Sequence, residues 1–184
     1  RAQLYSLLEQ GISEAHRKHE HGALLFLDLN RFKHINDSFG HSPADTLLAE
    51  VGQRLSRALR KEDVVSRLGG DEFVIALFDI NRREDAAIVA RKALAALAEP
   101  FLVEQHEILL SASIGISIFP EDGRDAETLI RNADVAMYRA KQLGTSSFLY
   151  YSHEMNLRSL ERLKMEGGLR HALERDEFML HFQP

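Results

Sequence analysis

Asp63-Val-Val-Ser-Arg-Leu-Gly-Gly-Asp-Glu-Phe-Val-Ile-Ala-Leu-Phe78 is the stretch that decides the reading of this chain. Two strand-like runs, Val64 to Leu68 and Phe73 to Phe78, flank Gly69-Gly70-Asp71-Glu72. Glycine reaches positive φ without a Cβ clash, so the backbone can reverse sharply at the pair. β-Branched residues on both sides favour strands, which predicts a hairpin carrying two adjacent carboxylates in its turn. Asp is common in turns for its local hydrogen bonding, so the hairpin alone has a purely structural explanation. A chemical reading needs a third carboxylate, brought to the same place by the fold.

Working outward, Ala23-Leu-Leu-Phe-Leu-Asp28 is a continuous apolar run and predicts a buried central strand ending on an acid. Phe32, Ile35 and Phe39 then predict a short helix closed by Gly40, its aromatic rings belonging to the core. Ser42-Pro43-Ala44-Asp45 reads as a helix start with a capping Ser, followed by an apolar stripe from Leu47 to Leu59. Beyond the hairpin, residues 86 to 97 carry helical periodicity up to Pro100, and Phe101 to Val103 is a short strand. Ile108 to Phe119 alternates apolar residues with Ser111, Ser113, Gly115 and Ser117, which predicts one strand with a buried face and a small polar face. Leu129 to Ala140 is a helix closed by Gly144, and Phe148 to Tyr151 a final strand. Before all of these, Leu4, Leu7, Leu8, Ile12 and Ala15 predict a helix whose histidine-rich end, His16 to His21, is a solvated terminus rather than a metal site. The order implies an α/β domain, of the α+β kind, in which helices cover a mixed and largely antiparallel sheet.

The chain has 184 residues, a net charge of −5 and an apolar fraction of 45%, which suits one ordinary domain with an appended piece. The acidic balance argues against a nucleic-acid-coating surface. The chain has no cysteines, which excludes disulfides, thiolate metal sites and a Cys nucleophile. No run is long enough to span a bilayer and nothing resembles a signal peptide. The lack of cysteines is compatible with the cytoplasm, and a cytoplasmic domain is expected, with room for a membrane anchor elsewhere in a longer protein. The chain begins inside a helical pattern and ends on Gln183-Pro184, as an excerpt of a longer protein would. The texture changes after residue 151, where a charged helix interrupted at Gly167-Gly168 precedes an isolated strand, Phe178 to Phe182. Two segments are therefore expected, 1–151 and 152–184.

If the first strand pairs beside the hairpin, Asp28, Asp71 and Glu72 converge at one edge. Clustered carboxylates raise one another's pKa unless a cation sits among them. Hard oxygen donors without His or Cys favour Mg²⁺ or Mn²⁺, which suits phosphoryl or nucleotidyl transfer. A structural turn acid with Asp28 capping the next helix explains the same residues without chemistry.

Arg67-Leu-Gly-Gly-Asp-Glu-Phe73 resembles the signature of the GGDEF family, the bacterial diguanylate cyclases. Leu27-Asp-Leu-Asn-Arg-Phe-Lys-His-Ile-Asn-Asp-Ser-Phe-Gly-His41 is similar to the family's first nucleotide motif, and Asp45 follows at the expected offset. Ser113-Ile-Gly-Ile-Ser117 and Asn132-Ala-Asp-Val-Ala-Met-Tyr-Arg-Ala-Lys141 resemble later motifs, so the resemblance covers residues 1–151. It implies a nucleotidyl-cyclase-like fold with a ferredoxin-like core, and condensation of two GTP into cyclic di-GMP and pyrophosphate by two domains meeting as a homodimer of half-sites. By the same resemblance, Asp28, the Leu29 carbonyl, Asp71 and Glu72 would hold the metals. Asp71 would accept the 3′-hydroxyl proton, and Lys33 and Lys141 would meet the phosphates. Asn36 and Asp45 would read guanine with His41 close to the base, while Gly69 and Gly70 would let backbone N–H groups approach phosphate. Arg60-Lys-Glu-Asp63 resembles the family's product-inhibition site, with Arg91 as a third contributor.

The chain departs from the pattern at Asn30, where members often have a second Asp, and at Thr145, where an Arg usually follows Lys-x-x-Gly. These departures keep open a second reading, a regulatory module that binds GTP or cyclic di-GMP without turnover. Leu169 to Pro184 resembles the segment that opens an EAL phosphodiesterase domain, which implies a tandem parent with a sensory segment upstream.

Overall fold

The continuous apolar run becomes the middle of a sheet because neither of its faces meets water. The computed structural model describes residues 2–144, 146–156 and Arg175. In chain order it contains α1 (Ala2–Lys18), β1 (His21–Leu29), α2 (Phe32–Phe39), α3 (His41–Ala58), β2 (Val64–Gly69) and β3 (Glu72–Ile80). These are followed by α4 (Arg83–Ala98), β4 (Phe101–Val103), β5 (His106–Ile108), β6 (Ala112–Phe119), α5 (Ala126–Leu143) and β7 (Ser147–Tyr150). The chain divides into two compact units, Arg1–Tyr151 and Ser152–Pro184. Within the second, residues 153–156 form a helical turn. Thr145, the Gly167-Gly168 break, the expected strand from Phe178 to Phe182 and the EAL-like segment lie outside the described residues.

The five-stranded sheet has the order β2-β3-β1-β6-β7. The β2–β3, β3–β1 and β1–β6 pairings are antiparallel and β6–β7 is parallel, so the expected mixed, largely antiparallel sheet is present. β4 and β5 form a separate antiparallel ribbon. Side chains alternate along β1: Leu25, Leu27 and Leu29 pack with Phe32, Leu47, Val51, Ala90 and Leu97 of α2, α3 and α4. Leu24 and Phe26 pack with Leu8, Ile12, Leu129 and Ala133 of α1 and α5. The sheet is thus covered on both faces, and either end of β1 opens between two helical layers.

Three local expectations need correction. Ser42 does not cap α3, which starts at His41 with Gly40 at the cap position and no side-chain cap bond. Gly40 donates its N–H to the Asn36 carbonyl, closing α2, and its φ of +82° turns the chain straight into the next helix. The expected strand from Ile108 to Phe119 is interrupted at Leu109–Ser111: Ile108 ends β5, which pairs with β4 in the separate ribbon, β6 begins at Ala112, and between them the Ser111 carbonyl accepts the Asn30 N–H at 2.8 Å. The small polar face of β6 is buried: Ser113 and Ser117 are each 0% exposed. A Cβ at Gly115 would stand 1.9 Å from the Ala133 carbonyl oxygen, so only glycine lets α5 approach this closely.

Candidate functional site

Strand alternation places Asp28 on the face covered by α1 and α5, next to the point where the chain leaves the sheet. It is 9% exposed and stands opposite Glu72 on β3 and Ser113 on β6. The close seat of α5 on Gly115 carries the helix's last turn over this end, and Lys141 Nζ donates to Asp28 Oδ1 at 2.6 Å. Burial pushes the Asp28 carboxyl above its ordinary pKa, Lys141 draws it back down, and the nearby Asp71 charge raises it again. Asp28 is thus a buried acid paired with a single flexible ammonium at an open end of the sheet.

The signature stretch is the expected hairpin. β2 ends at Gly69 and β3 begins at Glu72, leaving Gly70-Asp71 as the turn, with φ +54° at Gly70. The turn is fastened on two sides. Leu29 donates its N–H to the Asp71 carbonyl at 3.3 Å, which sets the acidic turn beside Asp28. Arg67 Nε donates to the Gly70 carbonyl at 2.8 Å.

The expected base-reading residues come from the opposite helical layer. His41 Nδ1 lies 3.2 Å from Asn36 Oδ1, so the end of α2 and the start of α3 share a side-chain hydrogen bond. Asp45, just past the first turn of α3, lies 3.6 Å from Arg67 Nη2 rather than capping its own helix. Lys33 projects from the exposed side of α2. Both layers therefore border one end of the sheet, and Arg67 joins α3 to the hairpin turn there. Arg67 stands in the signature, but no motif in the sequence assigns it a role. Its only sequence signal is a long cation at the strand end beside a glycine turn.

Asn30 has a structural role. Its amide Nδ2 donates to Ser111 Oγ at 3.2 Å and its Oδ1 accepts from Ser113 Oγ at 3.0 Å, bracing the end of β1 to β6. A carboxylate there could not donate to Ser111. Phe32 is buried and Phe39 partly buried in the core, as expected.

Among the described residues, no three His, Cys, Asp or Glu side chains converge on one metal-holding point. The structure does bring Asp28 within electrostatic reach of Asp71, with Glu72 across the ladder. Two hard carboxylates at an open end of the sheet fit Mg²⁺ or Mn²⁺ in the manner of nucleotide sites, where phosphate oxygens and water complete the shell.

The expected inhibitory residues are only partly gathered. The Arg60 N–H donates to Asp63 Oδ2 at 3.0 Å, and both residues line a cavity of about 270 Å³ with Asp79, Asn81, Asp85 and Lys92. Burial raises the Asp63 pKa, and its hydrogen bond from the Arg60 backbone lowers it. Arg91 does not line this cavity; its guanidinium sits 5.8 Å from the Phe148 ring centroid instead. The helical period turns Lys92 toward the cavity and Arg91 toward β7.

Residues 1–147 match the family described as Diguanylate cyclase, GGDEF domain. The chain belongs to this GGDEF family. The GGDEF domain is 42% identical over 177 residues to the bifunctional diguanylate cyclase/cyclic di-GMP phosphodiesterase MucR of Pseudomonas aeruginosa, covering 96% of this chain and 26% of that relative. It is also 42% identical to the signaling protein YkoW of Bacillus subtilis, covering 97% of this chain and 22% of that relative. The chain thus spans about a quarter of the length of these curated relatives. The crystal structure of the YfiN GGDEF domain from Pseudomonas aeruginosa superposes with a TM-score of 0.80 at 35% identity, covering 83% of this chain and 95% of that one. The active GGEEF domain of a Vibrio cholerae diguanylate cyclase superposes with a TM-score of 0.73 at 27% identity, covering 83% and 97%. Among the described residues, no helix is long and apolar enough to cross a membrane.

Proposed function

We propose that this GGDEF domain is one half-site of a diguanylate cyclase, condensing two GTP into cyclic di-GMP with release of two pyrophosphates. The observation that supports it best is the bond from Leu29 N–H to the Asp71 carbonyl, which sets the acidic turn beside the buried Asp28. In this reading guanine lies between α2 and α3. Asn36 and His41 lie against the base, and the Asp45 carboxylate accepts from its N1–H and N2–H. Gly69 and Gly70 leave room for phosphate beside the turn, and Lys33 and Lys141 supply opposite charge. Lys141 must move from Asp28 to phosphate for this, which its 42% exposed side chain permits. Asp28 and Asp71, with Glu72 and the Leu29 carbonyl, would hold Mg²⁺ or Mn²⁺, which when bound neutralises phosphate charge and acidifies the attacking hydroxyl.

Two domains facing each other as a homodimer complete the chemistry. The 3′-hydroxyl oxygen of one GTP forms a bond to the α-phosphorus of the other, the bond to pyrophosphate breaks, and the proton passes to Asp71. Repetition in the opposite sense closes the ring. Incubation with GTP and Mg²⁺, followed by chromatography for cyclic di-GMP, tests the reading. Product should form at a rate per protomer that rises with protein concentration; GTP bound without turnover in a folded dimer refutes it.

The Lys141–Asp28 pair favours a second reading, because the same lysine is engaged before any phosphate arrives. In it the domain binds GTP or cyclic di-GMP and regulates an attached EAL domain, under control of a sensory segment upstream. Arg60 and Asp63 form the core of a proposed site for inhibitory product, with Lys92 lining the same cavity and Arg91 supplied from elsewhere on the surface. The domain is proposed to work in the cytoplasm, without nucleic acid as a partner.

A further inference from the structure

The geometry points to Arg67 as a positioning residue that couples recognition of the base to the conformation of the phosphate turn. One guanidinium touches both parts of the site. Its Nε donates to the Gly70 carbonyl at 2.8 Å, and its Nη2 lies 3.6 Å from Asp45 Oδ1. The inference rests on the guanine reading of Asp45 and adds to it a physical connection to the turn.

The consequences follow from peptide geometry. A trans peptide points its C=O and N–H in opposite directions. Because Arg67 takes the Gly70 carbonyl, the following N–H, that of Asp71, points away from Arg67. The Asp71 carbonyl is held in turn by Leu29. The two bonds fix the peptides on either side of the turn, in a segment where Gly70 at φ +54° gives the backbone no steric restraint of its own. The ladder is also shifted between Arg67 and Gly69, so the Gly69–Glu72 pair closes the turn out of step with the pairs below it. At its other end Arg67 faces one oxygen of Asp45, an exposed carboxylate with lone pairs to spare for a base. A base that draws Asp45 into place therefore also orders the arginine, and the arginine orders the turn. Lysine cannot substitute, since a single ammonium lacks the fork that reaches two acceptors at once.

The test is calorimetric titration of the full chain with GTP, ATP and inorganic pyrophosphate in Mg²⁺, comparing wild type with Arg67→Ala, Arg67→Lys, Asp45→Asn and the double variant Arg67→Ala/Asp45→Asn. Wild type is expected to prefer GTP. Arg67→Ala should weaken GTP about tenfold and pyrophosphate about threefold, as loss of an exposed charge-assisted contact does. Asp45→Asn should weaken GTP alone, and the double variant should lose less than the product of the single losses. Arg67→Lys should follow Arg67→Ala, and it carries the test if the alanine variant does not fold. Unchanged pyrophosphate binding in both Arg67 variants, or losses that multiply fully in the double variant, overturns the coupling while leaving the guanine reading intact. A wild type that binds ATP as well as GTP overturns the guanine reading and the coupling together.

Discussion

Replacing Gly115 by alanine should separate α5 from the sheet and, with it, Lys141 from Asp28. A Cβ at this position would lie 1.9 Å from the Ala133 carbonyl oxygen and 2.2 Å from the Met137 nitrogen. Ordinary contact begins at 3.4 Å, so the shortfall against the carbonyl is 1.5 Å. The obstructing atoms are helix backbone, which cannot swing aside as a side chain can, so the whole of α5 must withdraw. Overpacking of a dense core costs about 1–3 kcal/mol, and a rigid helix puts Gly115→Ala at or above the top of that range. For a domain of this size about 3 kcal/mol corresponds to a fall in Tm of roughly 6–12 °C. Gly52 supplies the control. It lies within α3, and a Cβ there meets only Phe73 Cε1 at 3.5 Å. Gly52→Ala should therefore raise stability by about 0.5–1 kcal/mol through helix propensity. Differential scanning calorimetry on both variants, with GTP titrations to follow Lys141, measures the pair of effects. A Gly115→Ala protein that melts with wild type, or a Gly52→Ala protein that falls as far, would refute the close-packing argument.

Asp125 caps α5, accepting the Thr128 N–H at 2.8 Å, and that bond holds its pKa below the ordinary value. A lowered folded pKa means the stabilisation is present above the unfolded value and fades as pH falls through the folded one. Asp125→Ala should therefore cost about 1 kcal/mol at neutral pH, with the gap to wild type closing in acid, as urea melts across pH 3–7 would show. Arg54 donates to the carbonyls of Glu99 at 2.7 Å and Pro100 at 3.1 Å and stacks 3.5 Å over the Phe101 ring. Arg54→Ala should cost about 2–3 kcal/mol in thermal melts without changing nucleotide preference, and a loss below about 0.5 kcal/mol would contradict the role. Asp71→Asn should abolish cyclic di-GMP formation while leaving the circular dichroism spectrum and Tm near wild type; retained turnover would move the proton acceptor elsewhere.

The sequence was most legible where a residue's local pattern determines its place. The apolar run at Ala23 to Asp28, the glycine turn between strand-like runs and the stripes of the long helices all gave the elements found, because burial and backbone freedom act over a few neighbours. The motifs around Asp28, Asn36, Asp45 and Lys141 also named the family correctly. Legibility failed where a residue's partner is distant in sequence. The alternation through Ile108 could not show that Ile108 and Ala112 belong to two different sheets, and Ser113, Gly115 and Ser117 did not announce the helix that covers them. Ser42 looked like a cap until Gly40 took that position.

By itself, then, the chain determined its family and most of its elements and pointed to the residues proposed for the site, since each of those rests on short-range periodicity or on motif spacing. Only the tertiary structure decided what those residues touch. It set the acidic turn beside Asp28 through Leu29, paired Asp28 with Lys141 across 113 positions of chain, and turned Arg91 to Phe148. It also gave Arg67 two partners, Gly70 and Asp45. The physical reason is that strand pairing and helix docking bring together groups that no local pattern relates. The charges of the Gly69 to Phe73 signature are printed in the sequence, but their neighbours are chosen by the fold.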